Sequence, residues 1–351
     1  MKFKREIIAI MLIICMLFTI SAISAADSGN DTIGVANDTV EATSQDYSLE
    51  SNDDVEILKA DNDNALYDLQ QTINSASDGS TVVLDRDYEY DMMYDAETKS
   101  YGVIIDKNIT IDGQNHKIDG KGESAIFYVN PGVHVTFKDI VFINGASSTY
   151  GGGAIYSSSK VMGNVINCTF IKNSRTGNYH AILNHNSNFT VDKCLFIENN
   201  ADYYWSRLIS AQSDTVVSNS IFLNNNRDLF EGSFTIINNW FGNTINNYYS
   251  KPSYIDSSVT LDNWLFVNAT FDRQMNITDT YPGEFVFQVY ENGAISDYDS
   301  SKVHEVNMTL SAEKGDVDIT DVVMGDEITF TPNELGTGKV TASFFRNLGV
   351  T

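Results

Sequence analysis

The sequence predicts an all-β chain: a parallel β-helix with an N-terminal helical cap, followed by an immunoglobulin-like β-sandwich. Three observations carry this. A phenylalanine recurs with its neighbours through the middle of the chain, at Phe142, Phe170, Phe196, Phe222 and Phe241, spaced 28, 26, 26 and 19 residues apart. A period near 26 residues holds three short strands and their bends, the content of one solenoid coil. After about Lys251 the repeat stops, and alternating strands separated by Gly, Asn and Asp begin. The composition agrees, because 19 phenylalanines and 18 tyrosines among abundant Ser, Thr and Asn suit pleated strands better than helices.

Taken in order, the chain opens with Lys2, Lys4 and Arg5, an apolar run from Ile7 to Phe18, and small residues from Ser21 to Ala26. This is the pattern of a secretory signal peptide over residues 1–26, implying a secreted or surface-associated protein with no membrane span after cleavage. The run from Ile7 to Ile23 also reaches the ~17-residue lower limit for a spanning helix, so an uncleaved anchor is the alternative. Residues 27–63 carry eleven acidic side chains against the single Lys59. They bury too little to offset ordering and read as a disordered acidic spacer.

Residues 64–251 form the predicted β-helix. Leu66, Leu69, Ile73 and Ala76 share one face of a helix, with Asp63 or Asn64 as N-cap and Gly79 beyond its end. Such a helix would cover the open sheet that the first coil otherwise exposes. Val103-Ile-Ile105, Ile109-Thr-Ile111 and His116-Lys-Ile118 supply three strands of an early coil. In later coils a first-strand column runs through Ala125-Ile-Phe127, Ala154-Ile-Tyr156, Ala181-Ile-Leu183, Leu208-Ile-Ser210 and Leu229-Phe-Glu231. Between second and third strands stand Asp139, Asn167, Lys193, Asn219 and Asn238, where side-chain parity breaks. Asn and Asp tolerate the left-handed conformation, so this column is the bend. Asn173, Asn199 and Asn225 mark the exit from the third strand.

Cys168 and Cys194 occupy one position on consecutive coils and share a face with the core phenylalanines. Stacking brings their Cα atoms to ~4.8 Å, within disulfide range. Parallel side chains meet the disulfide torsion poorly, however, and buried free thiols are the expectation. Residues 252–351 form the sandwich, with strands at Trp264–Phe271, Gly283–Tyr290, Val306–Leu310, Asp326–Phe330 and Gly338–Phe344 and scarcely room for a last one.

The net charge of -25 comes from 47 acidic and 22 basic residues. Its distribution is uneven: +2 over residues 1–26, -10 over 27–63, -6 over 64–251 and -11 over 252–351. So acidic a chain repels phosphate backbones, which excludes nucleic acid as a partner. The acidity belongs to the spacer and the C-terminal part, leaving the coils nearly neutral as a contact surface.

The residues resemble the adhesin-like surface proteins of methanogenic archaea, built on a pectate-lyase-type right-handed parallel β-helix. The resemblance rests on Gly151-Gly-Gly-Ala-Ile-Tyr156, Asn167-Cys-Thr-Phe-Ile-Lys-Asn173, Ile109-Thr-Ile-Asp-Gly113 and Asn239-Trp-Phe-Gly242, and covers about Asn64 to Phe345. It implies a right-handed coil and a non-enzymatic role in cell adhesion. The same coils also serve lyases and hydrolases. Enzymes on this fold would place acidic residues on adjacent coils to hold calcium or to act as acid and base. No such ladder occurs here: Asp139 and Asp192 are two coils apart and offset by one position. No catalytic residue, metal ligand or cofactor is therefore assigned.

The loops between the third strand of one coil and the first of the next carry Arg175, Tyr179 and His180, then Tyr203, Tyr204 and Trp205. Neighbouring loops project side by side, so these flat rings with polar partners would form a shelf for stacking on sugars. The plainer alternative is that they cover the flank of the prism. The leading expectation is a secreted, cell-surface, adhesin-like protein binding glycans or surface proteins of neighbouring cells through its β-helix. A polysaccharide lyase or glycoside hydrolase, and a structural envelope component, are the alternatives.

Overall fold

The computed structural model describes residues 64–147, 152–157, 161–175, 188–201, 207–225, 229–244, 246–251, 255, 259–272 and 274–344. The chain is all-β and winds into a β-solenoid of about six turns. The second strands of successive coils form one seven-stranded parallel sheet, through Thr81–Val83, Ile109–Asp112, His134–Lys138, Met162–Ile166, Asn188–Asp192, Ile209–Ser218 and Phe230–Ile237. The third strands stack beside it: Tyr88–Glu89, Lys117–Asp119, Val141–Ile143, Thr169–Ile171, Leu195–Ile197, Ile221–Leu223 and Trp240–Thr244. First strands at Val103–Ile105, Phe127–Val129 and Ile155–Ser157 make a third, three-stranded sheet.

The phenylalanine repeat is the core of the solenoid. Phe142 pairs with Phe170, Phe170 with Phe196 and Phe196 with Phe222 in strict register. Their rings stack at centroid separations of 4.7, 4.8 and 4.6 Å, within 7° of parallel. That separation is the spacing of adjacent strands, so the stack follows from placing one residue type at one register position. Each buried ring contributes about 2–3 kcal/mol by leaving water.

Two columns of left-handed residues turn each coil. Asp139, Asn167, Lys193, Asn219 and Asn238 have φ between 49° and 55°, the bend that side-chain parity implied. Asn144, Lys172, Glu198 and Asn224 form a second such column after the third strand, with φ between 50° and 54°. The buried amides of Asn173 and Asn199 follow directly, with Asn225 next in line. Asn173 Nδ2 and backbone N–H both donate to Asn199 Oδ1 at 3.0 Å, and Asn199 repeats this onto Asn225. The same Nδ2 groups donate to the Phe142 and Phe170 carbonyls. Buried polar groups require such pairing, and here each coil supplies it to the next. In the triglycine segment, Gly152 takes φ of 77°, and a Cβ on Gly153 would meet the Ser174 carbonyl oxygen at 2.4 Å.

The N-terminal helix runs Leu66–Ser75, one or two residues later than Asp63 or Asn64 as N-cap would start it. Its N-cap is Ala65, and the expected local cap is replaced by a distant one. Asp95 accepts from the Leu66, Tyr67 and Asp91 amides at 3.2, 2.7 and 2.8 Å. A carboxylate from another element satisfies donors that a helix start leaves open, although burial raises the Asp95 pKa. Leu66, Leu69 and Ile73 join the hydrophobic cluster that also contains Val103 and Ile105.

Residue 251 ends the repeat but does not end the sheet. Asn263–Ala269 pairs parallel to Trp240–Thr244, and Phe285–Glu291 and Ala294–Asp297 then add antiparallel, giving a ten-stranded sheet. The remaining strands form two antiparallel sheets of three: Tyr281–Gly283, Ile328–Pro332 and Gly315–Val317, and Asp321–Val323, Asn307–Glu313 and Lys339–Phe344. Their core is shared with the solenoid. Leu195, Ile197, Ile221, Leu223 and Trp240 lie in one hydrophobic cluster with Phe287, Val303, Met308 and Phe330. The third strands of the later coils are therefore buried on both faces, with phenylalanine inward and Leu, Ile or Thr169 outward.

Candidate functional site

Of the shelf residues singled out in the sequence, Tyr179, His180, Tyr203, Tyr204 and Trp205 lie outside the described residues. Arg175 closes the short strand Ser174–Arg175, which pairs with Ala146–Ser147 on one side and Asn200–Ala201 on the other.

The described coils carry aromatic rings on the first-strand sheet, which is separate from the sheet that holds Ser174–Arg175. Phe127 and Val129 point inward and are buried, so Tyr128 between them faces outward and is partly exposed. Tyr156 repeats the arrangement between Ile155 and Ser157. The two tyrosines are direct partners across the parallel pair, with ring centroids 5.2 Å apart. Tyr101, just ahead of Val103–Ile105, meets Tyr128 edge-on at 5.3 Å. Tyr128 and Tyr156 are thus one strand apart along the coils, and Tyr101 packs edge-on against Tyr128 from the turn ahead of the preceding strand, whose Ile104 stands opposite Tyr128.

This pairing was hidden by a one-residue slip in the sequence alignment. The first-strand column placed Phe127 opposite Tyr156, a step of 29 residues, whereas the structure pairs Phe127 with Ile155 and Tyr128 with Tyr156. The true step of 28 equals that between Phe142 and Phe170. A slip of one residue exchanges the two faces of a strand, so it moved Tyr156 onto the core position of Phe127. Equality of the two steps was the signal that would have corrected it.

A second polar arrangement lies along the bend column. Asn167 Nδ2 donates to Asp139 Oδ1 at 2.6 Å, and Asn219 Nδ2 to Asp192 Oδ1 at 2.7 Å. Two side chains from the C-terminal strands dock on these amides: the Tyr298 hydroxyl donates to Asn219 Oδ1 at 2.5 Å, and His304 Nδ1 lies 3.2 Å from Asn167 Oδ1. His304 Nε2 is 3.3 Å from the buried Thr169 hydroxyl. With the Asn167 amide N–H committed to Asp139, its oxygen accepts, so Nδ1 carries the imidazole proton and Nε2 accepts from Thr169. Burial holds the His304 pKa down to about 4, against the opposing pull of Glu305 and Asp139. Neither His304 nor Tyr298 was singled out in the sequence, because each is an isolated residue whose partner lies more than 75 positions away.

Cys168 and Cys194 are unbridged and buried. Burial pushes the Cys168 thiol up to about 12 and Cys194 well above its ordinary value. Both are thiols rather than thiolates at neutral pH and have no nucleophilic character. Among the described residues no group of three or more His, Cys, Asp or Glu side chains is placed to hold a metal, and no helix is long and apolar enough to cross a membrane. Comparison of the chain with protein-family models, with curated proteins and with solved structures finds no match.

Proposed function

We propose that the chain is a secreted, cell-surface, adhesin-like protein that binds glycans through the outer flank of its β-helix and carries out no catalysis. The observation that carries this reading is the cluster of partly exposed rings made by Tyr128 and Tyr156 on adjacent coils and by Tyr101 packed edge-on against Tyr128. Rigid aromatic rings offer large contact area at small entropic cost, and rings on adjacent coils suit an extended saccharide lying along the prism. In this reading residues 1–26 direct export and residues 27–63 are the spacer. The helix Leu66–Ser75 is the lid of a right-handed coil, and the antiparallel strands after Ala269 are an immunoglobulin-like unit bracing its far end. In this reading the loop residues Arg175, Tyr179, His180, Tyr203, Tyr204 and Trp205 are further candidate glycan contacts.

A glycan array probed with the full chain tests this. With each ring contact worth about 1 kcal/mol, the Tyr128→Ala/Tyr156→Ala variant loses roughly 10- to 30-fold in affinity for the glycans the parent retains. A Tyr203, Tyr204 and Trp205 triple alanine variant is weakened as well. Unchanged binding in both variants, or an array on which the parent binds nothing, refutes the proposal.

A further inference from the structure

Where the C-terminal strands meet the coils they enclose a cleft of about 690 Å³. Its coil side is formed by the third strands and the bend column, with Asn167, Thr169 and Leu195; its other side comes from the segment around His304 and the strands Asn307–Glu313 and Asp321–Val323. The floor is apolar, through Leu195, Met308 and Val322. The walls carry polar groups: Asn115, together with Asn167, bonded to Asp139 and His304, Asn307, whose Nδ2 donates to Glu305, and Thr309, whose hydroxyl donates to Asp321, each keeping acceptor lone pairs. Three carboxylates, Glu305, Asp321 and Asp326, stand at exposed positions around the opening. Among the described residues that line the cleft there is no Lys or Arg; Lys193 in the bend column acts on His304 from nearby, and the imidazole is held neutral by burial at ordinary pH.

Small-ligand sites favour such junctions: an apolar floor, a few convergent polar groups and a volume of several hundred Å³. The alternation of apolar floor and donor–acceptor walls matches a sugar ring, with its C–H face and its rim of hydroxyls. The electrostatics select further. Carboxylates accept from hydroxyl or ammonium groups, whereas an anionic group would meet the like charges of Glu305, Asp321 and Asp326. We propose that this cleft is a second ligand site, taking a single sugar unit that carries no anionic group, with an amino sugar favoured over a neutral one and a uronate or sulfated sugar rejected. The site is separate from the tyrosine cluster, because it is built on the third strands and the C-terminal strands, while Tyr128 and Tyr156 lie on the first-strand sheet.

Calorimetric titration of the full chain with glucosamine, glucose and glucuronate at low ionic strength tests it. Glucosamine binds tightest and glucuronate at least ~10-fold more weakly than glucose, and the spread contracts in about 1 M salt, where screening reaches within ~3 Å. Asp321 and Asp326 are exposed, so Asp321→Asn/Asp326→Asn leaves the fold intact, as an unshifted thermal transition confirms. That variant binds glucosamine about 10-fold more weakly and loses the discrimination against glucuronate, whereas Tyr128→Ala leaves both unchanged. Equal binding of glucuronate and glucosamine, no binding of any of the three sugars, or binding that is lost in Tyr128→Ala but kept in the aspartate variant would each overturn the proposal. The last outcome would also leave the glycan-binding flank standing, so failure of one site is distinguishable from failure of the other.

Discussion

Lowering the pH should weaken the chain through His304, and by an amount the structure specifies. The imidazole sits between Asn167 and Thr169 with both ring nitrogens engaged in its neutral form. Its pKa falls from 6.5 to about 4 because burial disfavours the cation; the hydrogen bond to the Lys193 backbone and the charges of Glu305 and Asp139 oppose this, while the Lys193 charge adds to it. The sign follows from proton binding. Above the unfolded value neither state holds the proton, and below the folded value both do. Between them the unfolded chain is protonated and the native one is not, so stability falls as pH drops from 6.5 toward 4. A separation of that size is worth roughly 3.5 kcal/mol at about 1.4 kcal/mol per pH unit, trimmed to about 2–3 kcal/mol by partial exposure of the ring. Urea unfolding of the parent and of His304→Gln at several pH values isolates the term, because the carboxylates titrate alike in both. The parent should lose about 2–3 kcal/mol relative to the variant between pH 7 and pH 4. A difference that stays constant with pH, or a His304 resonance titrating near its ordinary value, would refute the reasoning.

Three further outcomes follow from the same contacts. Asn199→Ala removes the acceptor of two Asn173 donors and the donor to the Phe170 carbonyl; leaving buried groups unpaired should cost about 3 kcal/mol in chemical unfolding. Asp95→Ala strips the partner from the Leu66, Tyr67 and Asp91 amides and should cost about 2–3 kcal/mol, with hydrogen exchange accelerating first at Leu66–Ser75. Lys193 is held at φ of 55° between amide neighbours in the bend column, so Lys193→Asn should stabilise by about 0.5–1 kcal/mol and raise the thermal midpoint.

The solenoid was legible because its grammar is local and repeated. Phe142, Phe170, Phe196 and Phe222 announce one register position, and the Asp, Asn and Lys residues at 139, 167, 193, 219 and 238 mark one bend. A repeat amplifies a weak preference, since each coil must solve the same steric problem. The second left-handed column was less visible, as Asn144, Lys172, Glu198 and Asn224 share no chemistry beyond being polar. The extent of the C-terminal contact was written in the outward positions of the third strands. Leu195, Ile197, Ile221 and Leu223 alternate with inward phenylalanines, and a parallel strand that is apolar on both faces is one covered on both faces. Non-repeating contacts left no such trace. Asp95 serves a helix start 29 residues away, and His304 finds Asn167 at a separation of 137. For the proposed binding flank, the tyrosines were present in the sequence, but a single-residue slip assigned one of them to the core.

The central claim, that the first-strand flank of the β-helix is a glycan-binding surface, is tested most directly by hydroxyl-radical footprinting of the full chain with and without its best array glycan. Tyr101, Tyr128 and Tyr156 are partly exposed and oxidise in the free protein. Bound glycan should protect all three together while leaving the exposed Tyr249 unaffected. Protection elsewhere, with oxidation of these three rings unchanged by saturating glycan, would contradict it.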